Sequence, residues 1–420
     1  MSSITDRLRG IVRPGGSKKQ DPPYGGGEQD PPYEARAGQM DPAAILDGEW
    51  TQAGSHRFLV VDRSYAPGHR HGSISIADGL PPEEGWSRLG LLAGTSCGGK
   101  LLFVDLETTG LAGGAGSYAF LVGCGWFDRG RFHVRQFLLS SFASERALLE
   151  AVRDIAGDVD AVVTYNGKSF DLPLIETRCS LNRLTTPFAD MPHVDMLHHA
   201  RRLWHGDDEG HRLSRLETSL LGHEREGDVP GFEIPARYFR YVHTGDARPL
   251  GAVLEHNRLD LLSLALLTAR AAQMLDEGVT GAATPREALG MGRLYERAGM
   301  TSDALACFAR AADMGQAAYP DALYAHAVLL RRLRRYEAAA GVWQRLLDVD
   351  GCPPRLEREA AEALAVHYEH RLRSLPSARR LAMRSLLLDV TRTRREAIEH
   401  RLARLDRKLA GVEPALPALF

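Results

Sequence analysis

The spacing of apolar residues changes several times along the chain, and each change predicts a different element. Residues 56 to 78 alternate apolar and polar (Phe58, Val60; Ile74, Ile76) around a Pro67-Gly68 turn, which predicts a small β element. Residues 101 to 111 read Leu-Leu-Phe-Val-Asp-Leu-Glu-Thr-Thr-Gly-Leu, an apolar strand with two carboxylates near its end. Two β-rich runs follow, 117 to 127 and 131 to 139, joined by Asp128-Arg129-Gly130, a turn of the kind hairpins favour. Together the three runs predict an antiparallel meander. Helical spacing then appears over 144 to 156 (Leu148, Leu149, Val152, Ile155), and 161 to 164 is a short buried strand. A return through a helix predicts parallel pairing beside the first strand, hence a mixed sheet in an α/β layer architecture. Residues 198 to 246, rich in His, Gly, Asp and Pro, are the least readable part, with an amphipathic helix start at Leu213-Ser214-Arg215-Leu216-Glu217. An uninterrupted helical pattern over 250 to 275 predicts a long helix whose apolar face docks on the sheet.

From about 283 the pattern is helix after helix. Gly292, Tyr295, Ala304, Phe308 and Ala311 take the relative spacings of small and aromatic positions in a tetratricopeptide repeat. Tyr336, Ala339, Trp343 and Leu346 form a second copy, and a degenerate third is centred on Ala378. Stacked helix pairs of this kind bury a shared core; a generic helical bundle is the alternative. At the other end, residues 1 to 45 are rich in Gly, Pro and charge and repeat Asp-Pro-Pro-Tyr at 21 to 24 and 30 to 33. Such a segment buries too little apolar surface to offset its ordering entropy, so it reads as a disordered tail, with the Pro-Pro-Tyr pair either a docking ligand or plain linker. The expected organisation is a tail (1–45), a small β-rich extension (46–98), an α/β domain (99–278) and helical repeats (283–410).

Charge and cysteine content narrow the class. A formal net charge of -2 excludes a wholesale polycation. Yet residues 281 onward carry 23 basic and 17 acidic side chains, so an acidic front half is joined to a basic helical half. That asymmetry suits a polyanionic ligand, or is simply a solvated surface. Five widely spaced cysteines without a Cys-x-x-Cys pair give neither a disulfide framework nor a zinc-cysteine site. With no signal peptide and no run of eighteen apolar residues, a cytoplasmic location is expected.

Chemistry enters with Asp105 and Glu107. Two residues apart on a strand, they project to one side while Val104 and Leu106 point to the other. Paired carboxylates in a buried run call for a neutralising cation, and a hard divalent ion is the usual one; a capping carboxylate beside a solvated one is the simpler alternative. Three further segments bear on the choice. Tyr165-Asn-Gly-Lys-Ser-Phe-Asp171 follows a strand and opens a helix, with Pro173 tolerated in its first turn. His193-Val-Asp195 is strand-like, and His256-Asn-Arg-Leu-Asp260 puts a His and an Asp on one helix face.

These four motifs, in this order, resemble the DEDD (DnaQ-like) exonuclease superfamily on a ribonuclease H-like fold, and in detail its YprB-type ribonuclease H-like domain. The resemblance spans about residues 101 to 270. It implies an α/β ribonuclease H-like domain with a mixed five-stranded sheet and flanking helices, ahead of the all-α tetratricopeptide-like array. Position by position it makes Asp105, Glu107, Asp171 and Asp260 ligands of two Mg²⁺ or Mn²⁺ ions for two-metal phosphodiester hydrolysis. The family places its water-orienting residue as a Tyr four before the last Asp or a His five before it; here His256 stands at the Tyr spacing, and either orients water or is a helix-surface His. Substrate contacts are expected from Asn166 and Lys168, or Asn166 is only a turn former. Thr108 and Thr109 either contact the scissile nucleotide or cap their turn, and Asp195 admits a helix cap. His193, His198, His199, His205 and His211 are dense but irregular, and without cysteines they point away from zinc.

The expected activity is a metal-dependent nuclease acting on DNA or RNA, a 3′ to 5′ exonuclease by inheritance from the superfamily. Its rivals are an endonuclease on the same core and a non-catalytic nucleic-acid-binding adaptor whose repeats recruit a protein partner.

Overall fold

The computed structural model describes residues 40–82, 84–110, 116–204, 210–314, 319–388 and 391–410. Most of the expected tail, with both Pro-Pro-Tyr motifs, and His205 lie outside the described residues. A short helix α1 (Pro42–Leu46) leads into β1 (Glu49–Ala53) and β2 (His56–Tyr65). A small hairpin follows, β3 (Arg70–His71) with β4 (Ile74–Ser75). Ile76 does not extend that strand: Ser75 and Asp78 exchange capping hydrogen bonds and start a 3₁₀ turn there. Helix α2 (Gly90–Ala93) precedes the central strands β5 (Leu101–Thr108), β6 (Ala119–Asp128) and β7 (Arg131–Leu138).

The meander and the parallel crossover are present. Strands β5, β6 and β7 pair antiparallel. Arg129 and Gly130, both left-handed (φ 46° and 74°), make the two-residue turn whose twist matches the β6–β7 hairpin. Helix α3 (Glu145–Ala156) carries the chain to β8 (Ala161–Thr164), parallel to β5. Helix α4 (Asp171–Leu181) leads to β9 (His193–Asp195), parallel to β8. The sheet has seven strands rather than the expected five, in the order β1-β2-β7-β6-β5-β8-β9. The two extra strands come from the segment read as a separate extension: β2 pairs along the free edge of β7, from Leu59 opposite Leu138 to Tyr65 opposite Phe132. An edge strand's unpaired backbone groups favour such an addition.

Strand alternation sorts the sheet into two cores. Leu102, Val104 and Leu106 face one core with α3 and helix α7 (Ile234–Thr244); Leu101 and Phe103 face the other. Between β9 and α7 lie helix α5 (Met196–Leu203) and the short α6 (Leu213–Leu216). The long helix α8 (Gly251–Asp276) lies on the Leu101 side. Its docking differs from a single apolar face, because Leu261 through Ala269 are buried without interruption. The sheet covers one side of the helix and the turns at 76–79 and 217–221 close over other parts of it, so this stretch is enclosed even where it carries Ser263 and Thr268.

The array comprises α9 (Pro285–Arg297), α10 (Thr301–Asp313), α11 (Pro320–Arg332), α12 (Tyr336–Leu347), α13 (Pro354–His370), α14 (Leu375–Leu386) and α15 (Arg392–Ala410). A capping box between Thr284 and Glu287 starts α9. The small positions expected to let helices approach are buried: Ala304, Ala339 and Ala378 are 0 to 2% exposed. A Cβ on Gly292 would stand 2.5 Å from the Phe308 ring. The array shares one continuous core with the α/β part: Arg286 donates to the carbonyls of Trp204 and Arg201 (2.7 Å each), and Tyr295 donates to Leu275 O at 2.7 Å. Among the described residues no helix is long and apolar enough to cross a membrane.

Candidate active site

Three elements bring the expected carboxylates together. Asp105 and Glu107 project from the end of β5 on the face that α8 covers. Asp171 opens α4, and its carboxylate meets the backbone amide of Leu106, between those two residues. Asp260 lies on α8, one turn after His256, whose Nε2 is 3.8 Å from Asp260 Oδ2 and 4.0 Å from Glu107 Oε1. Burial, followed by the charges of Asp260, Glu107 and Asp171, raises the Asp105 carboxyl well above the ordinary range. Burial and the charges of Asp260 and Asp171 do the same to Glu107. Asp171 is pushed up to about 7, by burial first, with Asp195 and Asp260 adding to it and two backbone amides opposing. These are like charges concentrated in a place that water reaches poorly.

Asn257 aims the first of them. Fully buried on α8, it donates from Nδ2 to Asp105 Oδ2 (2.8 Å) and Asp105 O (3.1 Å), and its Oδ1 accepts from Gln136 Nε2 at 2.8 Å. Gly123, directly opposite Asp105 on β6, makes room: a Cβ there would stand 2.2 Å from Asn257 Oδ1.

A loop in the least readable stretch supplies the site's strongest cation. Arg225 donates from Nε to the buried Glu217 at 2.7 Å, from Nη2 to Glu217 and Asp260, and from Nη1 to Asp228 at 3.1 Å. Asp228 in turn lies 2.6 Å from His256 Nδ1. Burial opposes ionisation of Asp228, but the His256 hydrogen bond, the charge of Arg225 and the Val229 amide outweigh it and keep its carboxyl below the usual range.

The secondary candidates separate. Asp195, buried, accepts from the backbone N–H groups of Asn166 (2.8 Å), Lys168 (3.1 Å) and Leu197 (3.2 Å), so it caps α5 and locks the turn before Asp171. Asn166 occupies that turn at φ 67°. Lys168 is exposed, as is Phe170 at 57%, the residue before Asp171. Thr108 donates to Gly110 O at 2.8 Å, and Thr109 Oγ1 accepts from Tyr118 N at 2.9 Å, so both hydroxyls hold the turn after β5. His193 hydrogen-bonds Thr164 at 2.8 Å and His211 approaches Trp204 O at 3.2 Å, each with its own partner. Among the described residues no group of three or more His, Cys, Asp or Glu side chains is placed so that it could hold a metal ion.

Comparison with known proteins bears on family. The RNase_H superfamily (RNase_H_2) matches residues 102–272, which contain every carboxylate just described. Over 377 residues the chain is 30% identical to "Uncharacterized protein YprB" of Bacillus subtilis (strain 168), spanning 86% of this chain and 91% of that one. The chain belongs to this ribonuclease H-like family. A structural likeness to the family B DNA polymerase from the hyperthermophilic archaeon Pyrobaculum calidifontis has a TM-score of 0.36 at 12% identity, covering 75% of this chain and 51% of that one, too slight to carry an argument. Because the identity to YprB runs through most of both chains, the helical array is part of what the two share. Family membership fixes the coarse class: a nuclease-type hydrolase fold, with nucleic acid as the class of substrate.

Residues missed from sequence fall into two groups. Asn257 is a polar residue in line with Val253, Leu254 and Leu261, inside an apolar stripe, and that was a readable signal. Arg225 and Asp228 sit in the least readable stretch and Glu217 at the end of an amphipathic helix start, and only the fold brings them to Asp260 and His256.

Proposed function

We propose that this chain is a divalent-ion-dependent nuclease, working as a 3′ to 5′ exonuclease on DNA or RNA, with Asp105, Glu107, Asp171 and Asp260 holding two Mg²⁺ or Mn²⁺ ions. The observation that carries it is the convergence of those four carboxylates from β5, α4 and α8, with mutual repulsion and burial raising three of them. The donor set fits such ions, since its oxygens are hard and its charge is undercompensated; Arg225 is the main cation against it. Bound there, the ions would neutralise the carboxylates and stabilise charge developing in an in-line displacement at phosphorus.

The chain's own residues supply the rest. His256 Nε2 faces Glu107 and Asp260 and accepts the proton of the attacking water, whose oxygen bonds to phosphorus as the bond to the leaving ribose oxygen breaks. Asn257 fixes which Asp105 oxygen is free. Exposed Lys168 offers charge to the phosphate backbone, and the exposed ring of Phe170 offers a stacking surface for a base. The helical array is proposed to dock a nucleic-acid or protein partner.

The test is incubation of the full chain with 5′-labelled single- and double-stranded DNA and RNA and Mn²⁺. A ladder shortening from the 3′ end is expected, with Asp105→Asn inactive and folded. Internal cuts would assign an endonuclease instead, and turnover unchanged in Asp105→Asn would overturn the carboxylate assignment. His256→Ala is expected to lower kcat by roughly 10²- to 10⁴-fold.

A further inference from the structure

We propose that Asp228 is a positioning residue for His256: its carboxylate holds the Nδ1–H, so that Nε2 keeps its lone pair and faces Glu107 and Asp260. This builds on the reading of His256 as the group that takes the water proton. The geometry is specific. His256 Nδ1 lies 2.6 Å from Asp228 Oδ1, and an ionised carboxylate only accepts hydrogen bonds, so the imidazole must donate there. The other nitrogen, Nε2, is the one directed at the carboxylates, 4.0 Å from Glu107 and 3.8 Å from Asp260. Arg225 Nη1 comes within 3.4 Å of Nδ1, but it is itself a donor and is matched by Asp228 Oδ2 at 3.1 Å.

Asp228 is held as firmly as it holds. Its Oδ1 also accepts from Val229 N at 2.8 Å, and its Oδ2 is fixed by Arg225. Arg225 is clamped in turn by Glu217, which is 0% exposed and receives the hydroxyl of buried Ser263 on α8. The loop is thereby fastened to the helix that carries His256 and Asp260. With the imidazole tied to Asp228 and the guanidinium tied to Asp260, one rigid unit fixes both the base and the last carboxylate. The second partner of a functional imidazole usually sets its tautomer and orientation, and removing such a partner costs about 10- to 100-fold in activity.

The experiment uses the full chain with a 5′-labelled single-stranded oligonucleotide and Mn²⁺. Asp228→Asn is expected to lower kcat by about 10- to 100-fold with KM within about twofold. In a His256→Ala background the same change should cost no further kcat; a loss of equal size in both backgrounds would overturn the proposal. A second measurement needs neither metal nor substrate: ¹⁵N spectra of histidine-labelled protein, with the His256 signals identified by their absence in His256→Gln. Protonated Nδ1 in the wild type and an altered Nδ1 signal in Asp228→Asn support the assignment. An unprotonated Nδ1 in the wild type, or signals unchanged by Asp228→Asn, overturns it. Should the wild type cleave no oligonucleotide, or His256→Ala retain full kcat, the functional reading fails on its own and the spectra still decide the role of Asp228.

Discussion

Gly123 is where a single methyl group should be felt both in stability and at the site. An alanine Cβ there would lie 2.2 Å from Asn257 Oδ1 and 2.8 Å from its Cγ and Nδ2, distances that no side-chain contact tolerates. Asn257 must move, and it is bonded to Asp105 at 2.8 Å and to Gln136 at 2.8 Å. Overpacking costs about 1–3 kcal/mol, and losing a hydrogen bond to a carboxylate costs about 1.5–3 kcal/mol. Against this, replacing a strand glycine whose φ is not left-handed returns about 0.5–1 kcal/mol. The net expectation for Gly123→Ala is a loss of about 2–4 kcal/mol, a fall in melting temperature on the order of 5–15 °C for a domain of this size. Mn²⁺ affinity should fall with it, because Asp105 loses its anchor. The decisive assay is a double-mutant cycle read by urea denaturation. In an Asn257→Ala background the methyl has room, so Gly123→Ala should cost less than about 1 kcal/mol there. An equal cost in both backgrounds, or a Gly123→Ala protein as stable as the wild type, would refute the chain of contacts from Gly123 through Asn257 to Asp105.

Other expectations follow from charge and packing. Asp171 titrates near 7 in the fold against about 4 when unfolded, so the folded chain binds protons that the unfolded chain has released; metal-free stability should fall as pH rises from about 4 to about 7. Asp171→Asn should flatten that slope in thermal melts, and a slope unchanged by the substitution would contradict it. Glu369, 4% exposed, accepts from Arg401, Arg404 and Lys408 and is held down at about 2, with burial opposed by those hydrogen bonds and charges. Its stabilisation is present above about 4.5 and lost as pH falls toward 2. Glu369→Gln should release α15 to proteolysis at neutral pH at a cost of about 1–3 kcal/mol, and equal protease resistance would count against that pinning. Truncating the chain at residue 283 removes buried Leu289, Met291 and Tyr295 and should expose the surface they cover, lowering the melting temperature; a truncated chain melting like the full one would show that the shared core is dispensable.

What the sequence disclosed depended on how local the signal was. The β5 to β8 layout was legible because alternation and a helical crossover are short-range patterns that leave few topologies open. The side on which Asp105 and Glu107 project was legible for the same reason, since strand period fixes it. Strand β2 was visible as a strand but not as a member of the sheet, and β1 lay before the alternating run: nothing in their residues says that the edge of β7 is free. The apolar face expected on α8 does dock on the sheet; what was not legible is that Leu261 to Ala269 are enclosed all round, because the turns at 76–79 and 217–221 that close over the rest are distant in sequence. Arg225 and Asp228 act across 35 and 28 residues of sequence, on Asp260 and His256 respectively, so no window along the chain could have joined them.

These long-range contacts give the helical array a bearing on the chemistry. Helix α8 carries His256, Asn257 and Asp260 on its first turns, while its last turns are gripped elsewhere. Asp276 accepts from the backbone N–H of Arg88 at 2.8 Å, and Leu275 O accepts from Tyr295 of the array at 2.7 Å. Asp260 and Leu275 are fifteen residues apart, about 22 Å along a helix that rises 1.5 Å per residue. Between them the helix is free of proline and buried apart from Arg270 and Gln273, so it has no hinge and moves as a rod. The carboxylate and imidazole are therefore placed by two supports: the Arg225–Asp228 loop at the site and the first helices of the array beyond it. Ribonuclease H-like chemistry needs only the former at close range. In this chain the first helix of the array also holds the far end of α8, through Tyr295 on Leu275 O, and so helps to fix the helix that carries the proposed site.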